Sequence, residues 1–273
     1  MRPAEVVRRG AGYLARHGVD SPGANAEALM LATLGTDRAA LLARAEGLST
    51  GEAKLYGRFL CRRCTGTPLQ HLTGEQGFRH LILRVRPGVF VPRPETEILV
   101  DEAVERLAGR SAPVVADVCT GTGAVALAIV QEHPGARVIA TDLSPEAVTL
   151  ARDNAAALGL IVDVREGDLL EPVEGPLDLV TCNPPYVPAS TRDSLPPEVL
   201  ADPAGAVFGG PEIYERLFAQ AFDRLRPGGG VVVEIEESTA ATIVALARAA
   251  GFSEIAVRED LAGRDRVVAA RRP

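Results

Sequence analysis

The sequence predicts an α/β protein: a Rossmann-like, seven-stranded, mostly parallel sheet flanked by helices, preceded by a small N-terminal helical bundle and a β-hairpin linker. Three observations carry that reading. From residue 113 onward apolar, strand-like runs alternate with helical patterns, the rhythm of βαβ units. The first 70 or so residues instead carry helix caps and helical spacing. One apolar run in the later part empties into a glycine-containing turn, and the carboxyl ends of such strands are where open α/β sheets hold ligands.

The helical part opens with a pattern over about residues 3 to 17 and a second helix starting at Ser21-Pro22, where a capping serine precedes proline at the first helical position. Asp37 precedes Ala39 to Leu42, and Ser49-Thr50-Gly51-Glu52 matches a capping box before Leu55, Phe59 and Leu60. A bundle of four or five helices is expected. Between Pro68 and Pro94 the pattern changes: Leu81, Leu83 and Val85 alternate with other residues while glycines and prolines punctuate the segment, which reads as a short hairpin linker. Glu95 to Leu107 then places apolar residues on one helical face and leads into the sheet.

The βαβ part runs through Val114 to Val118, Ala124 to Gln131, Arg137 to Thr141, Pro145 to Leu158, Ile161 to Arg165 and Leu177 to Cys182. A helix over about residues 211 to 225, a strand at Val231 to Ile235, a helix at Thr239 to Ala250 and late strands near Glu254 to Val257 and Arg266 to Ala270 follow. The last two strands are joined too closely for a crossover and must pair antiparallel.

Composition narrows the function classes. A chain of 273 residues buries a substantial core, and 47% hydrophobic with 24% charged residues is ordinary globular usage, so a folded chain and not a disordered one is the expectation. Cys61, Cys64, Cys119 and Cys182 form no disulfide framework, and no secretory leader precedes them, which fits a reducing cytoplasm. No apolar run reaches the roughly 20 residues that cross a bilayer. A net charge of -7 argues against non-specific nucleic-acid binding, which rests on many phosphate contacts. The early arginines, Arg2, Arg8, Arg9, Arg16, Arg38, Arg44, Arg58, Arg62 and Arg63, read as solvated helix faces. Cys61 and Cys64 have metal-type spacing but no second pair, so no metal is expected.

Two sets of strand-end residues carry chemistry. The first is Cys119-Thr120-Gly121-Thr122-Gly123, where glycines let a ligand approach the backbone and the N–H groups of the following helix attract anions. Asp142, at the end of the second strand, can accept both hydroxyls of a ribose, and Asp168-Leu169, after the third, can frame an adenine. Gly121-x-Gly123-x-x-Ala126 also satisfies a dinucleotide fingerprint, so this half of the site leaves a nicotinamide enzyme open.

The second set is Asn183-Pro184-Pro185-Tyr186, into which the fourth strand empties. Two prolines fix φ twice and remove two donors, leaving a rigid set of acceptors. An amide nitrogen is a poor nucleophile because its lone pair is delocalised. The Asn183 oxygen and the Pro184 carbonyl can each accept one N–H of a planar NH2 group and localise that lone pair, while Tyr186 stacks on the plane. A nicotinamide dehydrogenase needs a proton-transfer group instead, and His17, His71, His80 and His133 are not at the expected strand tips.

Together these motifs resemble the peptide chain release factor glutamine methyltransferases, over nearly the whole chain. Besides Asn183 to Tyr186, Pro68 to Gly74, Val91 to Glu97 and Asp260 to Arg266 are similar to family segments. The resemblance implies a class I methyltransferase domain at 94–273, a hairpin linker at 73–93 and a substrate-docking domain at 1–72. It implies S-adenosyl-L-methionine as cofactor, held by Cys119, Thr120, Gly121, Thr122, Gly123, Asp142, Asp168, Leu169 and Asn183. Asn183, Pro184, Pro185 and Tyr186 would hold the glutamine of a Gly-Gly-Gln motif, with release factors as protein partners and no nucleic acid, no membrane and a monomeric state expected. Cys119 departs from the family, which usually has glycine there. So do Glu234-Ile235-Glu236, where glycine more often follows the isoleucine, and Phe208-Gly209-Gly210. The competing readings are a glutamine methyltransferase acting on a ribosomal protein, an adenine amino-group methyltransferase of DNA, which would need a duplex-gripping surface, and a binding module that tolerates replacement of Asn183.

Overall fold

The computed structural model describes residues 2–273, which group into two compact units. The first comprises the chain up to Glu75 together with Pro196–Ala201, and the second comprises Gln76–Leu195 and Asp202–Pro273.

In the first unit five helices follow one another: α1 (Pro3–Arg16), α2 (Pro22–Leu34), α3 (Arg38–Ala43), α4 (Thr50–Cys64) and α5 (Leu69–Thr73). Leu29, Met30, Leu41, Tyr56 and Leu72 form its core, and the Tyr56 hydroxyl donates to the Ala26 carbonyl at 3.1 Å. Asp37 caps α3 by accepting from Ala40 N at 2.8 Å, and Ser49 and Glu52 form the capping box of α4. Ser21 does not cap α2. It sits at φ +47° with no side-chain cap bond; the start of α2 is set by Pro22, and the buried Asn25 amide donates to the Asp20 and Ser21 carbonyls. Arg63 also departs from the sequence reading: it is buried, not solvated. Its guanidinium donates to Asn25 Oδ1 at 2.7 Å, to Thr67 O and to Glu198, on a helical turn at Pro197–Leu200 (α9) that returns to this unit from late in the chain. A buried guanidinium is tolerable only with such partners.

In the second unit β1 (Glu75–Phe78) and β2 (Leu81–Arg84) pair as a two-stranded sheet. Leu81 and Leu83 point inward and Ile82 outward, as alternation requires. A 3-10 turn at Pro94–Thr96 leads into α6 (Glu97–Leu107). Then come β3 (Val114–Val118), α7 (Ala124–Glu132), β4 (Arg137–Asp142), α8 (Pro145–Leu158), β5 (Asp163–Glu166) and β6 (Leu177–Cys182). Past a single turn α10 (Ala204–Val207), the chain forms α11 (Pro211–Arg224), β7 (Leu225–Glu234), α12 (Ala240–Ala249), β8 (Ser253–Glu259) and β9 (Asp265–Arg271).

The large sheet has the order β5-β4-β3-β6-β7-β9-β8, parallel throughout except for the antiparallel pairs of β9 with β7 and β8. Two apolar layers cover it. One gathers Leu99, Val100, Leu107, Val125, Leu127 and Ile129; the other gathers Leu170, Tyr214, Leu217, Phe218, Ile243 and Phe252. Strands buried on both faces account for the nearly continuous apolar runs at 114–118 and 231–233. Two strand starts differ from the sequence reading. β5 begins at Asp163, and Ile161 is 88% exposed; β7 begins six residues before Val231, because Leu225 pairs with Leu177 ahead of an irregularity at the glycines. No helix among the described residues is long and apolar enough to cross a membrane.

Candidate active site

The parallel register aligns Val118 with Thr141 on one side and Cys182 on the other, so the turn after β3, the Asp142 end of β4 and the segment after β6 open at the same sheet edge. The turn is fastened from below. Asp117, buried in β3, accepts from the Thr120 hydroxyl at 2.6 Å and from the Thr181 hydroxyl of β6 at 2.8 Å. Burial pushes its carboxyl up to about 6, against the pull of those bonds.

Asp142 accepts from Gly121 N at 2.8 Å with one oxygen and from Ser144 N at 2.9 Å with the other, while burial raises its pKa. Each carboxylate oxygen retains a lone pair for a further donor. Gly121 has φ +57° and open space where a side chain would stand, and the Thr122 hydroxyl is buried without a partner. Gly123, by contrast, is packed closely on Leu127 and Ala151. Asn154 of α8 donates to the Thr122 and Arg84 carbonyls and accepts from Arg84 N, linking the turn to the small hairpin. Cys119 adopts φ +57°, a left-handed conformation that favours glycine, and its side chain packs against the second apolar layer, in which Cys182 is buried.

Asp168 is half-buried after β5, where its carboxylate forms an ion pair with Arg216 of α11. The Leu169 side chain is buried in the second apolar layer at φ +50°, and its carbonyl accepts from the Thr141 hydroxyl at 2.8 Å.

β6 delivers Asn183-Pro184-Pro185-Tyr186 beside the turn. Pro184 is buried, and Asn183, Pro185 and Tyr186 are half-buried. Asn183 Nδ2 donates to the Thr96 hydroxyl oxygen at 3.1 Å, which turns Oδ1 of the planar amide to the opposite side. The Tyr186 hydroxyl donates to Glu234 Oε1 at 3.1 Å. Burial first, and the nearby Glu234 carboxyl second, raise the phenol pKa far above its usual range, so Tyr186 stays protonated. The exit of the segment is held by a bridge between Val187 and Phe208: Val187 N donates to Val207 O and Gly209 N to Val187 O, both at 3.0 Å. The Val91 to Glu97 segment is anchored by Asp202, which accepts from Val91 N at 3.2 Å and pairs with Arg93.

Thr96 and Asp117 were not singled out from sequence, and Glu234 and Gly209 were noted only as lying where the chain departs from the family, with no role at the site. A lone acid inside an apolar strand run, as at Asp117 and at the end of Val231-Val232-Val233-Glu234, was the available signal. Arg264 and Arg266 both bind Asp260, which also accepts from Ala262 N and Arg264 N, so they cap the last hairpin.

With β9 slotted between β7 and β8 and two ligand-ready turns at adjacent strand ends, the chain is by fold and site a class I methyltransferase. The methyltransferase small domain model matches residues 81–260, and the PrmC N-terminal domain model matches residues 5–74. The release factor glutamine methyltransferase of Deinococcus radiodurans is 42% identical over all of this chain and 99% of its own length. That of Mycolicibacterium smegmatis is 43% identical over 95% of this chain and 94% of its own. The chain belongs to the family of release factor glutamine methyltransferases. Among solved structures, a ribosomal protein L11 methylase from Lactobacillus delbrueckii subsp. bulgaricus aligns with TM-score 0.52 and 27% identity over 70% of this chain and 86% of that one.

Proposed function

We propose that this enzyme methylates the side-chain amide nitrogen of the glutamine in the Gly-Gly-Gln motif of peptide chain release factors, with S-adenosyl-L-methionine as methyl donor and S-adenosylhomocysteine as product. The observation that carries the reading is the pinned amide of Asn183: Nδ2 is committed to Thr96, so the group offered to a ligand is the acceptor Oδ1. An acceptor there suits a planar NH2 and repels a carboxylate.

The residues present fit the cofactor. Open space at Gly121, the orphaned Thr122 hydroxyl and the remaining lone pairs of Asp142 are what a nucleoside with an amino-acid tail requires. Cys119 to Gly123 and Asp142 would hold it, with Asp168 and Leu169 flanking the adenine and Asp168 sharing its charge with Arg216. When bound it supplies an electrophilic methyl group on a sulfonium.

Asn183 Oδ1 and the Pro184 carbonyl each accept one N–H of the glutamine amide, which holds the nitrogen lone pair perpendicular to the amide plane. As positive charge grows on that nitrogen, both acceptors stabilise it, and they hold its protons until one is released to water after transfer. Pro185 fixes the backbone and Tyr186 covers the planar group and excludes water. Residues 1–72 serve as the docking domain for the release factor, 73–93 as linker and 94–273 as the transferase domain. Release factors are the protein partners, and the reaction takes place in the cytoplasm.

The test is mass spectrometry of purified release factor and, separately, of a ribosomal protein after incubation with enzyme and isotopically labelled S-adenosylmethionine. Gain of one methyl group on the Gly-Gly-Gln glutamine is expected. Methylation of the ribosomal protein alone would overturn the proposal.

A further inference from the structure

Glu234 ends β7 in a setting that costs a carboxyl group its hydration: it is 2% exposed, its Oε2 is buried without a partner of good geometry, and its backbone carbonyl accepts from the Tyr214 hydroxyl at 2.8 Å. A buried polar atom without a partner calls for a physical explanation. Two hydroxyls face it. Tyr186 donates to Oε1, and the Thr96 hydroxyl lies close enough to hydrogen-bond the same carboxyl. Thr96 is itself buried and receives Asn183 Nδ2. The Asn183 N–H thus ends on the Thr96 oxygen, which leaves the Thr96 proton to seek an acceptor, and the Tyr186 O–H ends on Glu234.

We propose that Glu234 is a positioning residue whose carboxyl, by accepting the hydroxyl protons of Thr96 and Tyr186, fixes the Asn183 amide with Oδ1 toward the acceptor nitrogen. The argument is one of donors and acceptors. A hydroxyl has one proton, so while Thr96 gives its proton to Glu234 it can only accept from Asn183. If Thr96 could instead donate to Asn183, the amide would turn over and present NH2, which favours a carbonyl or carboxylate over an amide nitrogen. The same carboxyl fixes Tyr186 over the planar group. Glu234 touches no reacting atom. It sets which of two isosteric faces of Asn183 the substrate meets, and so the discrimination of glutamine from glutamate. This inference rests on the methylation of a glutamine amide proposed above.

The experiment compares wild type with Glu234→Gln, Thr96→Val and Thr96→Ser. A glutamine at 234 keeps the shape but can donate to Thr96 and reverse the chain. Turnover on release factor should fall about 10- to 100-fold in Glu234→Gln and Thr96→Val, as for other residues that orient a catalytic group. The S-adenosylmethionine dissociation constant should stay within about threefold. Thr96→Ser, which keeps the hydroxyl, should recover most of the turnover lost in Thr96→Val. Release factor whose motif glutamine is replaced by glutamate should become a distinctly better competitor of the Glu234→Gln enzyme than of wild type. A readout free of the partner is the Asn183 side-chain amide in nitrogen-15 NMR, assigned by its loss in Asn183→Asp. One proton slow to exchange in wild type and fast in both Glu234→Gln and Thr96→Val is expected. Wild-type turnover and selectivity in Glu234→Gln, or a wild-type Asn183 amide with no protected proton, would overturn the inference. Should wild type leave the release factor unmodified while the NMR pattern holds, the substrate assignment falls and the orienting role stands.

Discussion

Gly209 lies so close to Pro185 that a Cβ at 209 would stand 2.0 Å from the Pro185 carbonyl oxygen, far inside any contact distance. The glycine is therefore required by the backbone that carries the acceptor segment.

Gly209→Ala should move Pro185 and with it the Pro184 carbonyl. A displacement of about 1 Å at a positioning group costs on the order of 100-fold in turnover. Overpacking should also cost about 1 to 3 kcal/mol in unfolding free energy. Steady-state kinetics with release factor and urea unfolding measure the two, and unchanged turnover would show that the acceptor backbone is set elsewhere.

Asn183→Ala removes the acceptor and leaves the turn after β3 intact. Methyl transfer should become undetectable while cofactor binding stays within about tenfold. Normal turnover in this variant would end the mechanism.

Asp142→Ala should act on the other half of the site. Losing a charge-assisted acceptor for the ribose should weaken S-adenosylmethionine binding by about 1 to 3 kcal/mol in calorimetric titration. Because Asp142 also receives Gly121 N and Ser144 N, the melting temperature should fall as well. An unchanged titration would mean that the wrong carboxylate holds the ribose.

Cys119→Gly should relieve the left-handed strain at φ +57° and raise unfolding free energy by about 0.5 to 1 kcal/mol. Removing the thiol from the turn should also tighten cofactor binding. Denaturant titration and calorimetry decide; loss of stability would show that the contact with Cys182 matters more than the backbone.

Stability should fall as pH rises through neutrality. Burial holds Glu234 up at about 7 and Asp117 at about 6, both above the ordinary carboxylate range. A raised folded-state pKa means that the folded protein binds the proton more tightly, so this contribution is complete below about pH 4 and is lost as pH climbs through 6 to 7. Each group can contribute on the order of 3 kcal/mol. Glu52, held down to about 2 by Arg44, acts only in more acid solution. Urea unfolding at pH 5 and pH 8 should show the drop, and Glu234→Gln should flatten it; equal slopes would exclude Glu234 as its source.

Much of the fold was legible because periodicity and turn chemistry are local. The limits of α8, the capping box at Ser49 and the antiparallel pairing of β8 with β9 all follow from residues near one another in sequence. Ser21 failed as a cap because it stands in a left-handed conformation, φ +47°, and not in the extended one a capping serine adopts. Arg63 failed as a surface residue because Asn25 and Glu198 are 38 and 135 positions away. At the site, the rigid segment after β6 could be read directly, whereas the partners that orient it could not. Thr96 is 87 residues from Asn183, and Glu234 is 48 from Tyr186. Which hydroxyl meets which carboxyl is decided by strand order, and strand order is not a property of any short window.

The return of Pro196–Ala201 to the helical unit means that this protein cannot be cut after Glu75 into two self-sufficient pieces. A transferase expressed without its first 75 residues would carry a six-residue excursion with nothing to lie on, Glu198 without its cation, on the very stretch of chain that joins Tyr186 to Asp202. The backbone thus passes between the two units three times, after Glu75, Leu195 and Ala201, and neither unit can be exchanged as a cassette without carrying the returning segment along.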